Sequence, residues 1–259
     1  MNEKTYAIIG NGAIGAGIAL YLNGCGLKSV IVERGDYFNP NKVDIIIDTA
    51  WEGANDPEKR ANYELQFEAG RLAIERIENA IACGYIGRYV MIGSQAEWEP
   101  RGIIEENRIA RECNRDALPY GEYKRRVCNH LLASPLDSCW IRLSGVVYAN
   151  MQDSIFKRAA TRLVDYDSKA IWNTLPLMVA CGAIARIADS SEHGIVNLGG
   201  RNMMLRDMVN AASGCPKMHN EKGKSKSCMM EVKRAQRYIP KHDILAELTR
   251  LGKIWRGEA

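Results

Sequence analysis

Along the first 150 positions, short solid apolar runs alternate with longer stripes at helical spacing. Tyr6–Ile9 is the first run, and Ala16–Leu22 after it reads as a helix that Gly24 and Gly26 end. Ser29–Val32 is a second buried strand, closed by the polar segment Glu33-Arg34-Gly35-Asp36. Val43–Ala50 follows with an unbroken apolar centre, the pattern of a parallel strand covered on both faces. Residues 57–83 predict one long helix, because Leu65, Ala69, Leu72, Ile74, Ile77 and Ile81 fall near helical spacing. Arg88–Ile92 reads as a strand, 95–118 as a polar loop, 119–133 as a helix and Cys139–Leu143 as a further strand. This alternation predicts an α/β fold with a doubly wound, Rossmann-type parallel sheet over residues 1–150.

Beyond residue 150 the pattern weakens. Helices are expected at 153–164, 175–188 and 243–254, a strand and turn at Gly194–Gly200, and a loop at 214–227. Residues 151–259 therefore read as a small substrate-binding region, some of whose segments return to the first sheet.

Composition narrows the class. With 46% hydrophobic and 25% charged residues the chain is ordinary globular protein. No apolar run approaches the ~20 residues of a spanning helix. A net charge of +4 is too mild to argue for nucleic acid. The basic residues between Lys217 and Lys241 read as a solvated loop and a polar helix face. Eight cysteines without a C-x-x-C pair, and no secretory signal at the start, predict reduced thiols in the cytoplasm. Cys128 and Cys181 are expected to fill core space. The four histidines are isolated, so no metal site is expected.

Candidate chemistry begins at Gly10-x-Gly12-x-x-Gly15, between the first strand and the first helix. The first glycine permits the tight turn, the second leaves room for a pyrophosphate, and the third lets helix and sheet approach. Backbone amides at the helix start then face the phosphates. Glu33, eighteen residues after Gly15, stands where a carboxylate accepts the ribose hydroxyls of NAD. The adjacent Arg34 could instead hold the 2′-phosphate of NADP; Glu33 would repel that phosphate and tilts the choice to NAD.

Tyr120 and Lys124 form Tyr-x-x-x-Lys, which places both side chains on one helix face. An ammonium beside a phenol favours the phenolate, so Tyr120 could exchange a proton with a carbonyl oxygen. Ser94 follows a buried strand and could polarise the same carbonyl. Trp51 and Trp98 follow presumed strand ends, where such sheets bind ligands, and are candidates to stack on a base or sugar.

In order along the chain, these segments resemble the extended short-chain dehydrogenase/reductases that act on nucleotide-linked sugars. The resemblance rests on Gly10–Gly15, Val43–Trp51, Met91–Trp98, Pro119–Lys124, Ile141–Tyr148 and Val196–Gly200, and covers roughly residues 5–200. It implies NAD or NADP around Gly10, Gly12, Ala13, Ile14, Gly15, Glu33, Arg34, Thr49, Ala50, Trp51, Tyr120 and Lys124. It implies Ser94, Tyr120 and Lys124 as the catalytic set, and Ser94, Gln95, Glu97 and Trp98 against a small-molecule nucleotide sugar. Within the family, Asp48–Gly53 and Gly93–Glu97 look like the 4-keto reductases and epimerases. The expected reaction is reduction of a 4-keto group, with 4-epimerisation or a non-catalytic cofactor-binding subunit as alternatives. The family resemblance also implies a homodimer paired through the helices at 57–83 and 119–133.

The chain departs from the family in three places. Its glycine turn is one residue shorter than the usual Gly-x-x-Gly-x-x-Gly. Only about nine residues separate Glu33 from Val43, where relatives fit another helix and strand, so the adenine side should be more open. Tyr148-Ala149-Asn150 replaces a Tyr-Gly-Pro, and the C-terminal region is short.

Overall fold

A computed structural model describes residues 4–33, 35–52, 56–98, 103–106, 108, 119–151, 154–162, 164–214, 227 and 229–258. Strand β1 (Thr5–Ile9) leads through the glycine turn to α1 (Ala13–Gly24) and β2 (Lys28–Val32). Then come β3 (Ile45–Asp48), α2 (Pro57–Ala61), α3 (Tyr63–Ala82), β4 (Arg88–Ser94), β5 (Ile103–Ile104), α4 (Tyr120–Ala133) and β6 (Asp137–Leu143). The C-terminal part adds β7 (Gly145–Val147), α5 (Ile155–Thr161), β8 (Ile171–Pro176), α6 (Leu177–Ala188), β9 (Gly194–Leu198), β10 (Asn202–Met204), α7 (Leu205–Ser213), β11 (Met229–Met230) and α8 (Ile244–Arg256).

Six strands form one parallel sheet in the order β2-β1-β3-β4-β6-β9. The period-two alternation of strand side chains divides their apolar residues between two cores. Ile8, Ile47, Val90 and Ile141 face α1 and α6; Ala7, Ile46, Met91 and Trp140 face α3 and α4. The winding direction reverses between β1 and β3. At such a switch point a crevice opens beyond the carboxyl ends of the strands.

β9 and α6 do return to the main sheet and its cover. Except for β11, which pairs with β5, the remaining C-terminal elements build a three-stranded sheet, β10-β8-β7, and a separate core in which Phe156, Met208, Val209, Leu248 and Leu251 of α5, α7 and α8 meet.

Several elements differ from the expected ones. The helix at 57–83 is broken at Asn62, which has an extended backbone and whose Oδ1 accepts from the Leu65 amide at 3.0 Å. Asp56 caps the short α2 in the same way. Two side chains that each satisfy helix-start amides stabilise two helices in place of one. The helix expected at 175–188 starts at Leu177, because Ile171–Pro176 pairs with both β7 and β10. Residues 205–213 are helical, ending at Gly214 with φ +68°.

Between Glu33 and Ile45 the described residues carry only a 3-10 turn at Pro40–Lys42, so β2 is the sheet's edge strand. The absent helix and strand are replaced by the loop carrying Tyr37 and Phe38.

Of the basic stretch, Lys217, Lys222, Lys224 and Lys226 lie outside the described residues. Arg234 is half-buried, ion-pairs with the largely buried carboxylate of Glu192 and donates to the Ile195 and His193 carbonyls, whereas Arg237 reaches the same carboxylate with 66% of its side chain exposed. They tie the C-terminal loop to β9. Cys128 and Cys181 are fully buried, and burial pushes the Cys181 thiol up to about 12.

Candidate active site

The glycine turn is fixed by its neighbours. Gly10 has φ +99°, donates its amide to Val32 O at 3.0 Å, and lies too close to Ala50 for a side chain. A Cβ on Gly15 would stand 1.9 Å from Gly10 O. Gly12 is different, since a Cβ there meets nothing within 4 Å. It is the N-cap of α1, which has no side-chain cap and no acidic residue in its first turn. The helix start therefore carries uncapped amides and a positive dipole end beside open space, the requirement for holding an anionic group.

Thr49 holds the turn against β3, donating its hydroxyl toward Ile9 O at 3.0 Å and Gly10 O at 3.2 Å. Asn11 Nδ2 donates to Glu33 Oε1 at 2.9 Å, which sets the Glu33 carboxylate beside the turn. Arg34 lies outside the described residues. A cavity of about 1020 Å³ runs from Gly10, Gly12 and Glu33 past Tyr37 and Phe38 to Trp51 and along α3 to Arg76 and Cys83. It is large because no strand or helix follows β2 to fill that side.

Asp48 anchors the floor. It is fully buried and accepts from Arg76 Nε at 2.7 Å, Tyr89 Oη at 3.0 Å and the Ala50 amide at 3.0 Å. Arg76 also donates to Ala50 O. This network fixes the backbone before Trp51. Gln66 on α3 fixes the indole: its Oε1 accepts from Trp51 Nε1 at 2.7 Å, while its Nε2 donates to Lys59 O and Glu52 O. Neither Asp48 nor Gln66 was assigned a site role from sequence. The readable signals were an aspartate ending an apolar strand and a glutamine on the buried face of a helix.

Trp51 links the cavity to the candidate catalytic residues. It lines the cavity, meets the Tyr120 ring edge-on at 6.0 Å, and has Lys124 Nζ 4.0 Å from its ring centroid. Tyr120 is buried at the start of α4, and the Ser94 side chain acts on its phenol, drawing its pKa down against burial. The structure thus brings Ser94 and Tyr120 together, with Lys124 one turn further along the helix. The ammonium of Lys124 donates to Ile92 O at 2.7 Å. Its burial lowers the pKa to about 8, despite the pull of Glu97 and Asp48 in the other direction. Burial raises the Tyr120 phenol, while Arg60 and the Ser94 side chain act downward.

The residues expected against substrate divide. Ser94 and Gln95 remain half-exposed at the end of β4. Glu97 does not face a substrate: its side chain is 1% exposed and completes a capping box with Ser94. Its carboxylate accepts from the Ser94 amide at 2.6 Å and Trp140 Nε1 at 3.0 Å, and lies 3.5 Å from Arg142 Nε. Trp98 is also buried, packed on Ile104 and Met230 with the guanidinium of Arg142 5.2 Å from its ring centroid. β5 and β11 pair beside it and cover it. Glu97 thus ties down the Ser94 turn, and Trp98 belongs to a small core with β5 and β11.

No protein-family model and no curated protein sequence matches the chain. Solved structures do. One similar structure is MoeE5 in complex with UDP-glucuronic acid and NAD, at TM-score 0.77 and 15% identity over 98% of this chain and 100% of that one. Another is RMD from Pseudomonas aeruginosa complexed with NADPH, at TM-score 0.77 and 15% identity over 98% and 99%. A third is UDP-N-acetylglucosamine 4-epimerase from Bacillus cereus, at TM-score 0.77 and 14% identity over 98% and 100%. The chain shares the Rossmann-like fold of these structures, a mostly parallel central sheet with flanking helices. Among the described residues, no helix is long and apolar enough to cross a membrane.

Proposed function

We propose that the protein is an NAD(P)-dependent oxidoreductase of a nucleotide-linked sugar, reducing a 4-keto group with Tyr120 as proton donor. The observation that carries this reading is the Trp51 contact with Tyr120 and Lys124, which joins that helix face to a cavity beginning at an uncapped glycine turn. Proteins of similar fold carry NAD, NADPH and UDP-sugars in their structures.

The turn fits a dinucleotide. Gly12 leaves space where the pyrophosphate belongs, α1 offers amides there, and Glu33 stands at the end of β2 to accept ribose hydroxyls, which favours NAD. The nicotinamide supplies the hydride when bound. Ser94 donates a hydrogen bond to the substrate oxygen, and Tyr120 gives that oxygen its proton. Lys124, held by Ile92 O and Trp51, keeps a cation behind the pair.

Gly12→Val is expected to weaken NAD(P)H binding at least about tenfold, or about 1.4 kcal/mol, without shifting the unfolding midpoint. A Cβ there enters open space and meets no protein atom within 4 Å. Fluorescence titration and thermal unfolding measure the two quantities; equal affinity in the variant removes the phosphate assignment.

The reaction itself is tested by incubating the protein with NADH or NADPH and nucleotide-linked 4-keto sugars. Net oxidation of the cofactor supports reduction. Interconversion of nucleotide-sugar epimers without net oxidation assigns 4-epimerisation. Tight cofactor binding with neither outcome assigns a non-catalytic subunit.

The proposal includes a homodimer through α3 and α4. Tyr63 and Phe67 are 58% and 50% exposed and stack edge-on with Tyr123 of α4, leaving aromatic surface outward. Phe67→Glu is expected to sediment as a monomer. A dimer that persists in that variant sinks this interface.

A further inference from the structure

Two cations stand near Tyr120, and they do different things. Lys124, its helix neighbour, directs its ammonium to Ile92 O and the Trp51 ring. Arg60, from α2, places its guanidinium carbon 4.6 Å from the centroid of the Tyr120 ring. The local fold holds it there. Asp56 caps α2, and Gln66 of α3 binds Lys59 O at 2.9 Å, fixing the last turn of α2 against α3. The break at Asn62 turns the chain between them.

We propose that Arg60 is the positioning residue that tunes Tyr120, acting through the face of its ring. This rests on the reading of Tyr120 as proton donor. In that step the Tyr120 O–H bond breaks, and its proton goes to the substrate oxygen as hydride from the reduced nicotinamide reaches the carbonyl carbon. The electron pair of the O–H bond remains on the phenolate. A guanidinium over the ring is attracted to the π face of the phenol and more strongly to the phenolate. The other groups acting on the phenol are the Ser94 side chain from β4 and the Glu97 carboxylate, with the Trp51 edge against its ring, while Lys124 of α4 is directed to Ile92 O and Trp51 instead. Glu97 raises the phenol's pKa, and Arg60 and Ser94 lower it against a larger effect of burial. Asp48 and Arg76 neutralise each other beyond Trp51. Sequence reading passed over Arg60, because helix spacing links Tyr120 to Lys124 and says nothing about α2.

The test needs neither substrate nor cofactor. The full chain, labelled with tyrosine carrying 13C at the phenol carbon, is titrated by NMR, and Tyr120→Phe identifies the Tyr120 signal. Arg60→Gln is expected to raise the Tyr120 pKa by about one unit or more, as loss of an opposite charge within ~4–6 Å does, while Arg60→Lys stays closer to the wild type. Arg60→Met replaces Arg60→Gln if the latter fails to fold. Coincident titrations in wild type and the neutral variants overturn the proposal, as does a Tyr120 phenol that titrates lower in Arg60→Gln than in wild type. With substrate, Arg60→Gln should lower kcat and leave KM unchanged. A pKa shift without turnover in any form of the protein leaves Arg60 as the tuning cation and removes the reductase reading instead.

Discussion

Glu97→Ala is expected to destabilise the protein by about 3–5 kcal/mol, the cost of removing one partner from a buried ion pair. Arg142 is 1% exposed, and its Nε has no hydrogen-bond partner besides the ion contact with Glu97. Its other nitrogens donate to Asn197 Oδ1, Glu105 O and Arg108 O, so it cannot swing out to water without breaking those bonds. Trp140 Nε1 and the Ser94 amide lose their acceptor in the same variant. Glu97→Gln should cost less, because an amide oxygen still accepts from both.

The pH dependence follows from burial. Burial raises the Glu97 pKa above 4.5 and outweighs the attraction of Arg142. The folded protein therefore holds this proton to higher pH than the unfolded chain does. Stability from this group is fully present below about pH 4.5 and is lost as pH rises through the raised value. Glu97→Gln cannot lose the proton and should flatten that part of the profile. Urea unfolding at several pH values measures it. A Glu97→Ala midpoint within error of wild type would refute the buried-anchor assignment.

The sequence carried the front of the fold well because its signals there are local. Strand, glycine turn, helix and strand occupy residues 5–32, and Gly10 and Gly15 meet the neighbours that require them within forty residues of chain. The parallel order of the sheet followed from the same alternation. The strand at 171–176 was not legible, since its apolar residues run into α6 with no turn between them. Pro176 is both its last residue and the N-cap of that helix. The break at Asn62 and the helix at 205–213 were legible in principle. Asn62 is a good N-cap residue, and Leu205, Met208, Val209 and Ala212 lie at helical spacing before Gly214. The site divides in the same manner. Ser94, Tyr120 and Lys124 could be named from spacing, whereas Glu97 and Trp98 could not be separated from Gln95. Their burial depends on Trp140 and Arg142 of β6 and on the β5–β11 pair, contacts that span tens of residues. Arg60 and Gln66 are visible only once α2, α3 and α4 are packed.

Tyr120→Phe is expected to lower the rate of carbonyl reduction about 10²–10⁴-fold, the usual contribution of a positioned general acid. The variant removes one oxygen and keeps the ring, so the edge contact with Trp51 and the face contact with Arg60 both survive. Cofactor affinity should therefore hold while turnover falls. Stability should change by no more than about 1 kcal/mol, the net worth of one hydrogen bond. Wild-type reduction should be insensitive to this phenol through neutral pH, because burial holds its pKa above 10.0 and the acid stays protonated. The fall comes only as pH passes that raised value, and the variant should lack it. Ser94→Ala, which leaves the proton donor in place, should lose less than Tyr120→Phe. A Tyr120→Phe enzyme that reduces substrate at the wild-type rate would show that the proton reaches the oxygen from elsewhere. The role of Arg60 would then fall with it, since its cation would stabilise a phenolate that never forms.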